Sequence, residues 1–201
     1  MADQSAGGGI AMVKVGFIVE GSCEKIIIES EAFKNFLHRN GFELVEPVVD
    51  AKGAGNLLPH NIKPFIGVLE AKGAERLYIL TDSDGLPVED VKERINHAKI
   101  TAYFIAVKAI EAWFLADTQA MKKFLEIEDF AGEQFPEETA ELPWDRISKI
   151  VKETGSARGP GNKVGFAKKM IKYWEFSIEN AATHPNCPSA KCVVAHFQSN
   201  I

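Results

Sequence analysis

Four apolar, β-rich runs, Val13 to Val19, Phe42 to Val49, Arg76 to Thr81 and Ile100 to Val107, alternate with segments of helical spacing. The first helical stripe is Ile26-Ile27-Ile28 with Phe33, Phe36 and Leu37; helices are then expected from Leu57 to Lys72 and from Val88 to His97. A strand that is followed each time by a helix is the order of βαβ units. It predicts an α/β domain built on a mostly parallel sheet flanked by helices. In such sheets ligands bind at the carboxyl ends of the strands. Two of those ends are acidic here: Glu20 follows the first run, and Asp82-Ser83-Asp84-Gly85 follows the third.

The rest of the chain is organised by charge. Residues 1–11, with Gly7-Gly8-Gly9, have no periodicity and read as a flexible tail or an expression remnant, so the α/β core is assigned to 12–125. After an amphipathic stretch from Ala109 to Leu125, Glu126 to Glu141 holds seven acidic and no basic residues, with Gly132 and Pro136. Residues 126–143 are therefore expected to be an exposed acidic linker. From Asp145 to Glu175 the balance reverses to eight Lys or Arg against three Asp or Glu, and helical spacing returns. Residues 144–201 read as a basic helical C-terminal part packed on the core. The net charge of −5 excludes a uniformly basic surface but leaves room for a local basic groove. No apolar run is long enough to span a bilayer, no signal segment is evident, and three unevenly placed cysteines do not make a disulfide framework. A cytoplasmic protein is expected.

Carboxylates at the ends of neighbouring parallel strands would make a site for a hard cation. Oxygen ligands suit Mg²⁺ or Mn²⁺, and the ion in turn can hold a phosphate. Each acid taken alone could equally cap the helix that follows it. In combination they match a pattern: Glu20 in Phe17-Ile18-Val19-Glu20-Gly21-Ser22-Cys23-Glu24, then Asp82-Ser83-Asp84-Gly85-Leu86-Pro87, then Ile110-Glu111-Ala112-Trp113-Phe114-Leu115-Ala116-Asp117, with a late Pro188-Ser189.

These motifs resemble the Toprim (topoisomerase-primase) superfamily. They are most similar to a compact bacterial Toprim-like family of unassigned function related to the overcoming-lysogenization-defect nucleases. The resemblance runs from about Val13 to the C-terminus and departs at Cys23, where threonine is expected. It implies a Toprim-like fold and Mg²⁺-dependent phosphodiester chemistry on nucleic acid. Glu20, Asp82 and Asp84 would be the metal ligands and catalytic acids, and Glu111 a second-metal ligand. Tyr78, Tyr103 and Tyr173 lack the context of a transesterifying topoisomerase tyrosine, and the chain is short for a primase, which leaves hydrolysis. A role in defence against foreign DNA follows only by analogy. Trp113 is expected in the core.

Two further groups of residues could bind ligands. Ser156-Ala157-Arg158-Gly159-Pro160-Gly161-Asn162-Lys163 places cations and flexible backbone ahead of a helix, with Lys168, Lys169 and Lys172 behind, so Arg158 and Lys163 are candidate phosphate contacts. The spacing is not that of a P-loop, nor is Gly53-Ala54-Gly55 a dinucleotide fingerprint. His184, Cys187, Cys192 and His196 have tolerable zinc spacing, but Pro185 and Pro188 constrain the turn and the pairs form no familiar finger, so zinc is not expected. Two other functions compete. Asp82-Ser83-Asp84-Gly85 also resembles the motif of haloacid-dehalogenase-like phosphatases, with Asp82 as nucleophile and Asp84 as acid/base, although Leu86 replaces threonine there. The alternative is a non-catalytic module that binds metal or nucleic acid. A homo-oligomer or protein partner is left open.

Overall fold

In the computed structural model, which describes residues 12–199, the chain begins with β1 (Val13–Val19) and then α1 (Ser22–Ile28) and α2 (Glu31–Arg39). The tail assigned to residues 1–11 lies outside the described residues. The expected first helix is thus two helices. Ser30 divides them, because its hydroxyl accepts the Phe33 N–H at 3.2 Å and starts a new helix. The expected second strand is also divided, into β2 (Phe42–Leu44) and β3 (Val49–Asp50), around Pro47, which has no N–H to give to a ladder.

A 3₁₀ turn (Ala54–Leu57) leads to α3 (Lys63–Ala71), shorter than the expected 57–72 because Pro59 and Pro64 confine the helix start to Lys63. Next come β4 (Arg76–Asp82), α4 (Val88–Arg94) and β5 (Ala102–Ala106). The stretch 109–125 folds as α5 (Glu111–Ala116) and α6 (Thr118–Leu125). Asp117 breaks it by accepting the Ala120 N–H and capping α6. Four more helices follow among the described residues: α7 (Pro143–Thr154), α8 (Lys163–Lys172), α9 (Ile178–Thr183) and α10 (Pro188–Gln198).

The sheet is parallel throughout, in the order β2-β1-β4-β5, with β3 continuing beyond β2 along the same edge of β1. The expected α/β class is what the chain adopts. Alternation along β1 sends Val15, Phe17 and Val19 into one core with α1, α2 and the C-terminal helices. Ile18 goes into the other core, beneath α3 and α4. Gly16 belongs to that second face, where a Cβ would stand 3.0 Å from Leu69 Cδ1, so only glycine lets α3 approach this closely.

The acidic segment expected over 126–143 has no helix or strand before α7 begins at Pro143, but it is not fully exposed. Pro136, Glu137 and Thr139 are buried. Glu137 Oε1 accepts from the Ser189 N–H and hydroxyl and from the Cys187 thiol, and Glu133 pairs with Arg146. The segment acts as a strap that ties α7 and α10 to the body. The basic C-terminal part contributes to the core as well as packing on it, since Phe197 of α10 lies against Phe17, Phe42, Tyr78 and Phe104.

Candidate functional site

Because β1 pairs directly with β4, with Val19 opposite Leu80, the two acidic strand ends are neighbours. Glu20 N–H donates to Leu80 O at 3.0 Å, which holds the turn after β1 against β4. Glu20 Oε2 then accepts from the Thr81 hydroxyl and, at 3.2 Å, from the Asp82 N–H. Asp82 Oδ1 accepts the Ile110 N–H at 2.8 Å, tying the β4 end to the start of α5. Glu111, the first residue of α5, is thereby brought to the same place. Glu24 arrives from the first turn of α1. Glu20, Glu24, Asp82 and Glu111 line one cavity of about 330 Å³, together with Ser22, Cys23, Asp50, Lys52, Gly53 and Lys163.

Like charges crowded into a partly dehydrated pocket resist ionisation. Burial, and then the neighbouring Glu24, Glu111 and Glu20, push Asp82 well above the usual carboxylate range. Burial, opposed by backbone hydrogen bonds and reinforced by Glu20 and Glu111, brings Glu24 up to about 7. The Cys23 thiol is pushed up to about 12, first by burial and then by Glu111 and Glu24, so it is no nucleophile at neutral pH. The counter-charge is Lys163, whose Nζ lies 3.1 Å from Glu111 Oε1. Burial would lower Lys163, but the pairing with Glu111 together with the charges of Asp82 and Cys23 makes the net shift upward.

The pH dependence of stability follows from Glu24, whose ordinary value is 4.5. Below that value the group is protonated in both the folded and unfolded states. Between about 4.5 and about 7 only the folded protein keeps the proton, so the unfolding free energy falls as pH rises through this window and levels off above it. A shift of this size corresponds to about 3 kcal/mol. Asp82 acts with the same sign. Urea unfolding in EDTA across the window is expected to show the fall, and Glu24→Gln to remove much of it; an unchanged slope in the variant would contradict the assignment.

Asp84 is placed differently from Glu20 and Asp82. The buried Ser83 hydroxyl accepts the Lys108 N–H, and the backbone at Asp84 turns left-handed (φ 49°) and carries it out of the pocket lining to an exposed position. Arg158 and Lys163 are also separated. Arg158 pairs with Glu126 at 2.5 Å in a different groove of about 840 Å³, with Lys122, Lys123, Lys169, Tyr173 and Trp174. The zinc candidates are not brought together. His184 Nε2 meets Glu133 O, Cys187 bonds to Glu137, Cys192 is exposed, and His196 packs edge-on against Tyr78 and Phe104. Trp113 is fully buried, as expected, and its Nε1 donates to Ser189 Oγ at 2.7 Å.

The oxygen donors of the pocket suit a hard divalent cation, and Glu111 Oε2, buried without a hydrogen-bond partner, is an acceptor that such an ion would satisfy. Among the described residues no three His, Cys, Asp or Glu side chains are grouped as ready metal ligands, so side-chain rotation would have to draw the carboxylates in. Ser22, Glu24, Asp50 and Lys52 were not among the sequence-derived site residues. Asp50 had a signal, being a third acid at a strand end, hydrogen-bonded here to Ser22 at 3.1 Å. Glu24 had one too, a single helical turn after Glu20.

No helix among the described residues is long and apolar enough to cross a membrane. No curated protein matches the chain. Among solved structures, the C-terminal region of the Xanthomonas campestris pv. campestris OLD protein is similar at 15% identity, over 94% of this chain and 98% of that one, with a TM-score of 0.39. A family model described as a domain of unknown function (DUF4276) matches residues 19–190, from the last residue of β1 into α10 and across every residue of the acid pocket. The chain belongs to that family.

Proposed function

We propose that the chain is a Mg²⁺- or Mn²⁺-dependent phosphodiester hydrolase that acts on nucleic acid. The observation that carries this reading is the meeting of Glu20, Glu24, Asp82 and Glu111 in one open pocket at the carboxyl ends of β1 and β4, with one Glu111 oxygen unpartnered. Burial among these acids pushes Asp82 and Glu24 upward, a conflict that a bound cation would relieve. The Toprim-like motifs supply the reaction class.

A bound divalent ion would polarise a phosphoryl oxygen and lower the pKa of an attacking water. Glu20, oriented by Thr81 and the Asp82 N–H, and Asp82, oriented by the Ile110 N–H, would hold the ion with Glu111. Glu24, near neutrality in its pKa, is the group suited to pass a proton at physiological pH. Lys163 would meet the phosphate charge from α8. The separate groove with Lys122, Arg158, Lys169 and the 60% exposed Tyr173 offers cations for the backbone and a ring for stacking. Asp84 is exposed and outside the pocket lining, which takes away the acid/base of the phosphatase scheme and also one of the three metal ligands that the Toprim-like motifs imply, a place that Glu24 or Glu111 would fill.

The test is a panel of labelled single- and double-stranded DNA and RNA incubated with Mg²⁺, with Mn²⁺ and with EDTA. Cleavage of at least one substrate class with either metal, and none in EDTA, is expected. Binding without cleavage in any lane would replace the hydrolase with a binding module.

A further inference from the structure

Glu111 is only 2% exposed, yet its two oxygens fare differently: Oε1 has the Lys163 ammonium at 3.1 Å and Oε2 has no hydrogen-bond partner. A buried acceptor left half satisfied points to a ligand that completes it. No trio of ready metal ligands exists among the described residues, and the positive charge at Glu111 is the one this chain supplies from α8. The partners differ in freedom. The Lys163 side chain is about half exposed (49%) and that of Glu111 is 3% exposed, so the lysine can leave and the glutamate cannot. Helix α8 itself is fixed, since Phe166, Ala167 and Met170 are fully buried in the core. The loop before it, with Gly155, Gly159 and Gly161, is not needed for such a movement; rotation of one side chain suffices.

We propose that Lys163 is a built-in counter-ion of the acid pocket. It holds Glu111 Oε1, beside the open Oε2, must be displaced for a divalent cation to engage the whole carboxylate, and thereby sets the pocket's metal affinity low. The exchange is one of ions only: the ammonium leaves Glu111 with its proton and the divalent ion takes its place on the carboxylate. This rests on the reading of the pocket as a metal site. It adds that metal entry and release of Lys163 toward a phosphate are one event, so each favours the other.

Mn²⁺ binding, followed by the electron paramagnetic resonance signal of the free ion, tests this on the intact chain without any substrate. Lys163→Met is expected to bind Mn²⁺ tighter by on the order of tenfold, since a unit charge a few ångströms from the site is removed. Lys163→Arg should keep the weak affinity. Lys168→Met removes the same charge from an exposed position on α8 and should change little. In a Glu111→Gln background the gain from Lys163→Met should vanish. Lys163→Gln gives the same comparison if the Met variant folds poorly. Wild-type binding that Lys163→Met fails to tighten, or an equal gain from Lys168→Met, would overturn the counter-ion while leaving the metal site. Absence of binding by both wild type and Lys163→Met at millimolar Mn²⁺ would overturn the metal site and the counter-ion together.

Discussion

Asp82→Asn is expected to lower metal-dependent hydrolysis by about 100-fold or more and, in EDTA, to raise the unfolding free energy. The two effects have one cause. Asp82 is held well above the usual carboxylate range by burial and by Glu24, Glu111 and Glu20, so its charge opposes the fold at neutral pH. Asparagine keeps the shape and keeps a carbonyl oxygen for the Ile110 N–H, which Asp82 Oδ1 accepts at 2.8 Å. The variant therefore loses the charge and retains the bond. A structural acid would behave in the opposite way, losing stability when neutralised. Parallel urea unfolding and cleavage assays measure both quantities, and a variant that is less stable as well as inactive would show Asp82 to be structural.

Glu20 and Asp82 were legible in the sequence because strands buried on both faces read as unbroken apolar runs, and an acid at the end of such a run is conspicuous. That the two strands are neighbours was not legible, since it depends on pairing across 61 residues, Val15 with Arg76. Glu111 came from its resemblance to a family motif, because a glutamate at a helix start ordinarily faces water. What buries it is α5, each residue of which is buried. Glu24 escaped for the same reason. An acid in a first helical turn has an ordinary explanation, and nothing local in the sequence marks that Glu24 is buried or that α8 packs on the helix that carries it.

Local signals placed β1 and β4 almost to the residue, and fared worse where a side chain competed for the backbone. Ser30 and Asp117 each accept an N–H and divide what apolar spacing alone makes one helix. The acidic strap shows a different limit. Composition gives seven carboxylates in sixteen residues, which reads as solvated chain. The fold buries Glu137 by giving it the Ser189 N–H and hydroxyl and the Cys187 thiol as donors. The same bond takes Cys187 away from any zinc set. Spacing between ligand types cannot register such a partner 50 residues away.

Phe197→Ala is expected to cost about 3–5 kcal/mol of stability. The ring is fully buried, and its centroid lies 5.1 Å from Phe42, 5.2 Å from Tyr78, 5.8 Å from Phe104 and 6.2 Å from Phe17. Those residues come from β2, β4, β5 and β1, so one side chain of α10 touches every strand of the main sheet path. Truncation removes the transfer energy of the ring and leaves a cavity that four strands cannot close without breaking register. For a chain of this size the melting temperature should fall by on the order of 10 °C. Leu142→Ala is the matched control, since Leu142 is 61% exposed and its loss should stay within about 0.5 kcal/mol. Urea and thermal unfolding of both variants decide the matter. Equal, small effects would mean that α10 is an appendage. A large effect at Phe197 alone would show that the C-terminal helices and one face of the sheet share a core and fold together.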